Sequence, residues 1–455
     1  MRSVNPATGQ LIRECPDHDS AQVERILHAA EAGFARWRTT SFGERSLCMR
    51  AAAAVLRKRR GELAGLMTAE MGKPIAAAEA EVDKCAACCD FFADHAEQFL
   101  APELIATDAS RSFIRFDPLG PVLAVMPWNF PLWQVFRFAA PGLMAGNVGL
   151  LKHASNVPGC ALAIERVFRE AGFPEGVFST LLISGGEAEK IIAHPTVRAV
   201  TLTGSDTAGM AVAAAAGRAL KKTVLELGGS DPFIILPDVD IDAVASAAAS
   251  ARCINSGQSC IAAKRFIVHA AIAEPFERAF AEKMAALRVG DPMDRATDLG
   301  PLARSDLRDS LHEQVRQTLS QGARLLIGGQ PLPGPGFFYA PTILADVHPG
   351  MTAFDDETFG PVAAVIRAAD ADEAVALANR SKFGLGASIW TADTTLAETL
   401  AARIESGNVF INGPVKSDPR LPFGGVKTSG YGRELSQIGI REFVNIKSVW
   451  VKHPS

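Results

Sequence analysis

Ala199-Val200-Thr201-Leu202-Thr203-Gly204-Ser205-Asp206-Thr207-Ala208-Gly209 is the stretch on which the fold turns. Its first five residues are apolar or β-branched and carry no charge, which suits a strand buried on both faces. Gly204 stops the strand. Ser205 or Asp206 can then cap an alanine-rich helix over 206–219. A strand that runs straight into a helix is half of a β-α-β unit. The free N–H groups at such a helix start can hold a phosphate. The stretch is not G-x-G-x-x-G, so the standard dinucleotide fingerprint is missing.

The same alternation extends on both sides. Pro121–Met126, Val148–Lys152, Thr180–Ser184, Thr223–Glu226 and Phe233–Leu236 read as strands, with helices over 156–171, 186–193 and 240–256. A second series has strands near 265–268, 324–327, 362–366, 387–390 and 408–411, and helices near 271–287, 305–321, 371–380 and 392–406. Two α/β units with mainly parallel sheets are expected, joined near Gly228-Gly229. Upstream, residues 1–18 read as an extended arm, and 20–37, 43–70 and 74–100 as helices. The run Arg57-Lys58-Arg59-Arg60 reads as a solvated helix end. Residues 101–118 form a connection containing the strand-like Ser112–Phe116. The tail Glu442–Lys452 reads as a strand that pairs within the chain or between subunits.

The bulk composition narrows the function classes. The 455 residues are 48% apolar and 21% charged, with a net charge of −4, so a general nucleic-acid binder is excluded. The apolar stretch Leu119–Leu151 is broken by Pro121, Pro127, Pro131, Arg137 and Pro141 and fails as a membrane span. Eight cysteines in a chain with no apolar leader read as reduced thiols, and a cytoplasmic protein is expected. Cys85, Cys88 and Cys89 share a helix face with Phe92. With no second ligand pair at zinc spacing, they read as core and no metal is expected.

Chemistry in open α/β sheets collects at the carboxyl ends of strands. Pro127-Trp128-Asn129-Phe130-Pro131 is a rigid turn that can aim the Asn129 amide at one point, as an oxyanion donor requires. Taken alone, it reads first as a simple Asx-turn. Glu226, followed by Leu227-Gly228-Gly229, can act as a general base or stand as a solvated strand end. Asp355–Pro361 is an acidic loop able to accept from ribose hydroxyls. Asn255-Ser256-Gly257-Gln258-Ser259-Cys260 holds a cysteine behind small, flexible residues, which a nucleophile needs. Most cysteines, however, are apolar fillers.

These pieces occur in one order: P-W-N-F-P, L-T-G-S, E-L-G-G, G-Q-x-C, E-x-F-G-P-V and P-F-G-G-x-K-x-S-G-x-G-R-E, over residues 127–434. That series resembles the NAD(P)-dependent aldehyde dehydrogenase superfamily, and the head and tail look like it too. The resemblance implies an α/β fold with a Rossmann-like cofactor domain (1–100 and 119–227), a second α/β catalytic domain (228–441) and a small β oligomerisation arm (101–118 and 442–455). It also implies a homodimer or homotetramer acting on a small aldehyde. By the same resemblance, Cys260 is the nucleophile, Asn129 the oxyanion donor and Glu226 the base. Trp128, Lys152, Ser155, Gly204, Ser205, Glu357 and Phe359 then surround the dinucleotide.

Within the superfamily the chain looks most like bacterial succinate-semialdehyde dehydrogenases, which implies Arg137, Ser417 and Phe423 at the carboxylate end of the substrate. An Arg fork suits a carboxylate bidentately. Several departures stand out. Ile254 occupies the place of a second carboxylate-binding Arg, with Arg252 two residues before it. Phe138 replaces a Lys that many members carry opposite the residue matching Glu434. Ile261-Ala262 rules out a C-x-C pair. Ser155 stands where NAD-selective members often have Glu, so either NAD or NADP is expected to be accepted. Two alternatives stay open: an enzyme for uncharged aliphatic or aromatic aldehydes, and a non-catalytic binding protein on this fold. Transfer to coenzyme A is disfavoured by the presence of Glu226.

Overall fold

A computed structural model describes residues 1–453. The chain opens with a hairpin of β1 (Arg2–Val4) and β2 (Leu11–Glu14), followed by α1 (Ser20–Trp37), α2 (Phe42–Lys58), α3 (Arg60–Met71) and α4 (Ile75–Phe99). The expected single helix over 43–70 breaks at Arg59 (φ −98°, ψ 14°). Arg59 N–H closes α2 on Val55, while its carbonyl opens α3 by accepting from Leu63. The basic run therefore covers a helix junction. On α4 the thiols of Cys85, Cys88 and Cys89 are fully buried with Phe92, as the helical spacing implied.

After β3 (Glu103–Leu104) and β4 (Arg111–Pro118) comes the first alternation: β5 (Pro121–Met126), α5 (Trp133–Met144), β6 (Val148–His153), α6 (Pro158–Glu170), β7 (Phe178–Thr180), α7 (Ala188–Ala193), β8 (Ala199–Thr203), α8 (Asp206–Arg218) and β9 (Lys222–Glu226). The second alternation is β10 (Asp231–Ile235), α9 (Ile241–Cys253), β11 (Ala263–His269), α10 (Ala273–Ala285), α11 (Ser305–Ser320), β12 (Arg324–Ile327), β13 (Thr342–Ala345), α12 (Thr352–Asp355), β14 (Val362–Ala368), α13 (Ala371–Asn379), β15 (Phe383–Gly384), β16 (Gly386–Trp390), α14 (Thr394–Ala401) and β17 (Asn408–Ile411). The chain closes with β18 (Val426–Lys427), β19 (Gly430–Tyr431), α15 (Ser436–Ile440) and β20 (Val444–Val451).

Three sheets organise these elements. The first runs β19-β9-β8-β5-β6-β7, the second β12-β13-β14-β11-β10-β16-β17, and a small third one β20-β4-β3. The first two are parallel apart from their edge strands β19 and β12. Helices cover them and bury the charge-free strands, which is why β8 reads as a continuous apolar run. The tail strand β20 pairs antiparallel with β4 of the same chain along its whole length. Residues 454 and 455, expected with that arm, lie outside the described residues. Among the described residues no helix is long and apolar enough to cross a membrane.

Sequence and structure differ in four places that matter. Helix α5 was not expected, because Pro131 and Pro141 interrupt its pattern. Its start signal is remote: Glu81 on α4 accepts from the backbone N–H of Leu132 and Trp133, both at 2.9 Å. The strand expected at Thr180–Ser184 lies earlier, at Phe178–Thr180, and the chain leaves the sheet after one last bond from Leu181 N–H to Leu151 O. The helix expected over 392–406 stops at Ala401. Finally, β19 crosses back to the first sheet, with Gly430 opposite Glu226.

Candidate active site

In the first sheet the chain enters at β5, builds outward through β6 and β7, and returns on the other side through β8 and β9. Such a reversal leaves a crevice outside the carboxyl ends of β5 and β8. Pro127–Pro131 follows β5 and Gly204-Ser205 follows β8, so both turns face that crevice. A cavity of ≈ 260 Å³ lies there, lined by Trp128, Asn129, Gly204, Ser205, Cys260, Glu357 and Phe359 among others. The Trp128 and Phe359 rings meet edge to face at 5.8 Å. Ser205 caps α8 by accepting from Ala208 N–H (3.2 Å).

The turn that carries Cys260 is held in a costly backbone shape. Asn255 and Ser256 have φ of 53° and 55°, and Gly257 follows at 77°. A Cβ at Gly257 would sit 2.3 Å from the carbonyl carbon and oxygen of Gly360. Only glycine lets this turn press against the Glu357–Pro361 loop. Gly257→Ala is therefore expected to cost about 2–4 kcal/mol of stability from strain plus overpacking. Denaturant unfolding checks this, and an unchanged midpoint would contradict it.

Polar groups lock the same turn. Asn255 Nδ2 donates to the carbonyls of Asn129 (2.7 Å) and Gln258 (3.1 Å). Asn129 Nδ2 donates to that same Gln258 carbonyl (3.1 Å), so the amide is held beside the cysteine turn. The fully buried ammonium of Lys264 donates to the carbonyls of Ser259, Cys260 and Ala262 and pairs with Glu357 at 3.3 Å. Sequence reading passed over Lys264. Its signal was the cation pair Lys264-Arg265 at the start of an apolar run, where burial demands partners. Arg252 is also fully buried, and its Nη2 donates to the Gly257 carbonyl at 2.7 Å. That guanidinium braces the turn. Burial, then the Glu357 charge, pushes the Cys260 thiol up to about 12.

Glu226 ends β9, and its carbonyl accepts from Gly204 N–H (3.0 Å). Its carboxyl is buried, and neither oxygen has a hydrogen-bond partner among the described residues. Gly424 approaches so closely that a Cβ there would lie 2.7 Å from Glu226 Oε1. Burial raises the Glu226 carboxyl well above the usual range; Arg137 opposes the rise and Glu434 adds to it.

Glu226, Arg137, Ser417 and Phe423 do not line the cavity itself. Arg137, expected to be free for a substrate carboxylate, forms a buried ion pair with Glu434. It also donates to Thr203 Oγ1 (3.2 Å) and lies 4.7 Å over the Phe423 ring. A buried guanidinium needs a counter-charge, and the bridge between Phe423 and Glu434 carries one to it. Ser417 Oγ accepts from Trp133 Nε1 (3.1 Å) and Lys84 Nζ (2.8 Å). Lys84 was not singled out from the sequence, since one Lys on an amphipathic helix gives no local signal.

Lys152 lies in the last residues of β6 and Ser155 just past its end. Lys152 has no ion-pair partner among the described residues, and Ser155 is exposed. An unpaired ammonium beside an uncharged Ser fits a ribose or its phosphate ester. The residues present thus suit a dinucleotide laid from Lys152 toward Glu357.

The aldehyde dehydrogenase family profile matches residues 1–449. A Synechocystis sp. protein named a probable succinate-semialdehyde dehydrogenase (NADP(+)) is 55% identical over 451 residues, covering 99% of each chain. A Mycobacterium tuberculosis protein named succinate-semialdehyde dehydrogenase (NADP(+)) 1 is 52% identical over 454 residues, again covering 99% of each. The crystal structure of succinic semialdehyde dehydrogenase from Streptococcus pyogenes with NADP+ superposes with a TM-score of 0.97 at 37% identity, covering 99% of this chain and 100% of that one. The crevice geometry and these likenesses agree, and the chain belongs to the aldehyde dehydrogenase family.

Proposed function

We propose that the protein oxidises succinate semialdehyde, or a close ω-carboxy aldehyde, to the acid with NADP or NAD. The observation that carries this reading is full-length identity of 52–55% to relatives bearing that name. The site chemistry supports it. Cys260 Sγ adds to the aldehyde carbon, and Asn129 Nδ2 with a backbone N–H holds the resulting oxyanion. A bound dinucleotide would supply the hydride acceptor for this step, and Cys260 Sγ would then carry the acyl group as a thioester. Glu226 takes a proton from the water that hydrolyses that thioester. Trp128, Lys152, Ser155, Gly204, Ser205, Glu357 and Phe359 orient the dinucleotide, and Arg137, Ser417 and Phe423 frame the far end of the substrate.

The two α/β units then divide the work: the first (1–100 and 119–227) supplies most of the cofactor site together with Asn129 and Glu226, and the second (228–441) supplies Cys260 together with Glu357 and Phe359. The small sheet exposes Leu104, Ile446 and Trp450, an apolar set that a second copy would cover. A cytoplasmic homo-oligomer is part of this reading, and sedimentation would read its size.

A kinetic panel of short semialdehydes and matched uncharged aldehydes against both cofactors tests the activity. No reduced cofactor from any semialdehyde would sink it, and equal kcat/KM for propanal would favour the uncharged-aldehyde reading. Ser155→Glu is expected to lower kcat/KM for NADP about 100-fold while sparing NAD, because it sets a carboxylate against the 2′-phosphate. Unchanged NADP kinetics would remove Ser155 from the ribose site.

A further inference from the structure

Lys264 is the second residue of β11, and it is completely buried. A buried ammonium brings three N–H donors and a charge, and each needs a partner. Glu357 answers the charge at 3.3 Å and is itself held by the Gly229 N–H at 3.2 Å. The three donors reach the carbonyls of Ser259 (2.9 Å), Cys260 (2.9 Å) and Ala262 (3.1 Å). All three therefore fall on the turn that carries the thiol. Asp231 at the start of β10 and Arg252 near the end of α9 complete the charges around this ammonium.

That hold decides where the turn points its own donors. In a trans peptide the C=O and N–H lie in one rigid plane and point in opposite directions. Drawing the Ser259 carbonyl to Lys264 thus turns the Cys260 N–H the other way, and among the described residues that N–H has no acceptor. The Cys260 carbonyl is tied to the same ammonium, so the nucleophile is pinned on both sides. Cys260 shares its cavity with Asn129, whose amide is held beside the turn through the Gln258 carbonyl. We infer that Lys264 is a positioning residue for the oxyanion: by holding the Ser259 and Cys260 carbonyls, it aims the Cys260 N–H at the point where the aldehyde oxygen gains charge. This deepens the proposed reaction and rests on Cys260 as its nucleophile. A donor aimed in advance needs no reorganisation when the charge develops, and that is where such bonds contribute most.

The test uses two reactions of the free enzyme that share the thiolate and differ in the oxyanion. In acylation by p-nitrophenyl acetate, the thiolate adds to a carbonyl carbon, a tetrahedral oxyanion forms, and p-nitrophenolate leaves. With iodoacetamide the thiolate displaces iodide at a saturated carbon, and no oxyanion forms. Cys260→Ala gives the background from the other cysteines. Lys264→Met removes charge and donors together. Its alkylation slows, because Lys264 favours the Cys260 thiolate. Its acylation is expected to slow about 100-fold further, as for loss of one oxyanion donor. Lys264→Gln keeps an N–H donor without the charge, so the excess loss shrinks to about tenfold while alkylation stays slow. Circular dichroism reads folding, and if Lys264→Met does not fold, the tenfold excess in Lys264→Gln decides. Acylation and alkylation falling in step overturn the role of Lys264 and leave Cys260 as the nucleophile. A wild type acylated no faster than Cys260→Ala overturns the nucleophile, and the proposed reaction with it.

Discussion

Cys260→Ala is expected to abolish acid formation, with kcat falling at least about 10⁴-fold, since binding alone contributes little once the covalent route is gone. The variant should still bind the dinucleotide. Trp128 lines the same cavity, so quenching of tryptophan fluorescence by cofactor gives that control. Retained turnover would dismiss the thioester route. Because the resting thiol is pushed up to about 12, thiolate is scarce at neutral pH. Alkylation of the free enzyme by iodoacetamide should therefore quicken about tenfold per pH unit through the neutral and mildly alkaline range. A flat profile would mean that the thiolate already exists. The structural source of the shift is burial against Glu357, with Lys264 opposing it but already bonded to three carbonyls.

Glu226→Gln should separate the two halves of the reaction. The carboxyl is buried and has no hydrogen-bond partner among the described residues, and burial raises it well above the usual carboxylate range. A neutral amide of the same shape should therefore alter stability little. It cannot take a proton from water. One equivalent of reduced cofactor per active site should form in a burst, after which the steady rate falls about 10²–10⁴-fold. Rapid mixing with absorbance detection reads both phases. If the burst vanished, Glu226 would act before the thioester; if the steady rate fell less than about tenfold, another group would activate the water. The Arg137–Glu434 pair next to it offers no lysine for a proton relay, since Phe138 stands where many relatives carry one. The water path must then start from Glu226 itself.

Short-range pattern carried the reading of the fold. Residues 199–218 form a strand and a helix because an uncharged β-branched run meets a Ser cap and an alanine run, and those forces act within a few residues. The spacing of the six motifs pointed to the family, and the cavity brings Trp128, Asn129, Gly204, Ser205, Cys260, Glu357 and Phe359 together. Elements whose signals lie far away were hidden. Helix α5 begins where Glu81 meets its N–H groups, and no local cap announces it.

The sequence by itself determined which residues could do chemistry at Asn255–Cys260, Glu226 and Asn129, because rigid turns, small neighbours and strand ends are local properties. Only the tertiary structure decided which charges are spent and which are free. Arg137 looked available and is held by Glu434; Arg252 looked like a substitute and braces the Gly257 carbonyl. Lys84 looked ordinary, yet stands unpaired beside Ser417, 333 residues further along the chain. The physical reason is desolvation: burial makes each cation seek the nearest anion, and which anion is nearest follows from packing, not from sequence spacing.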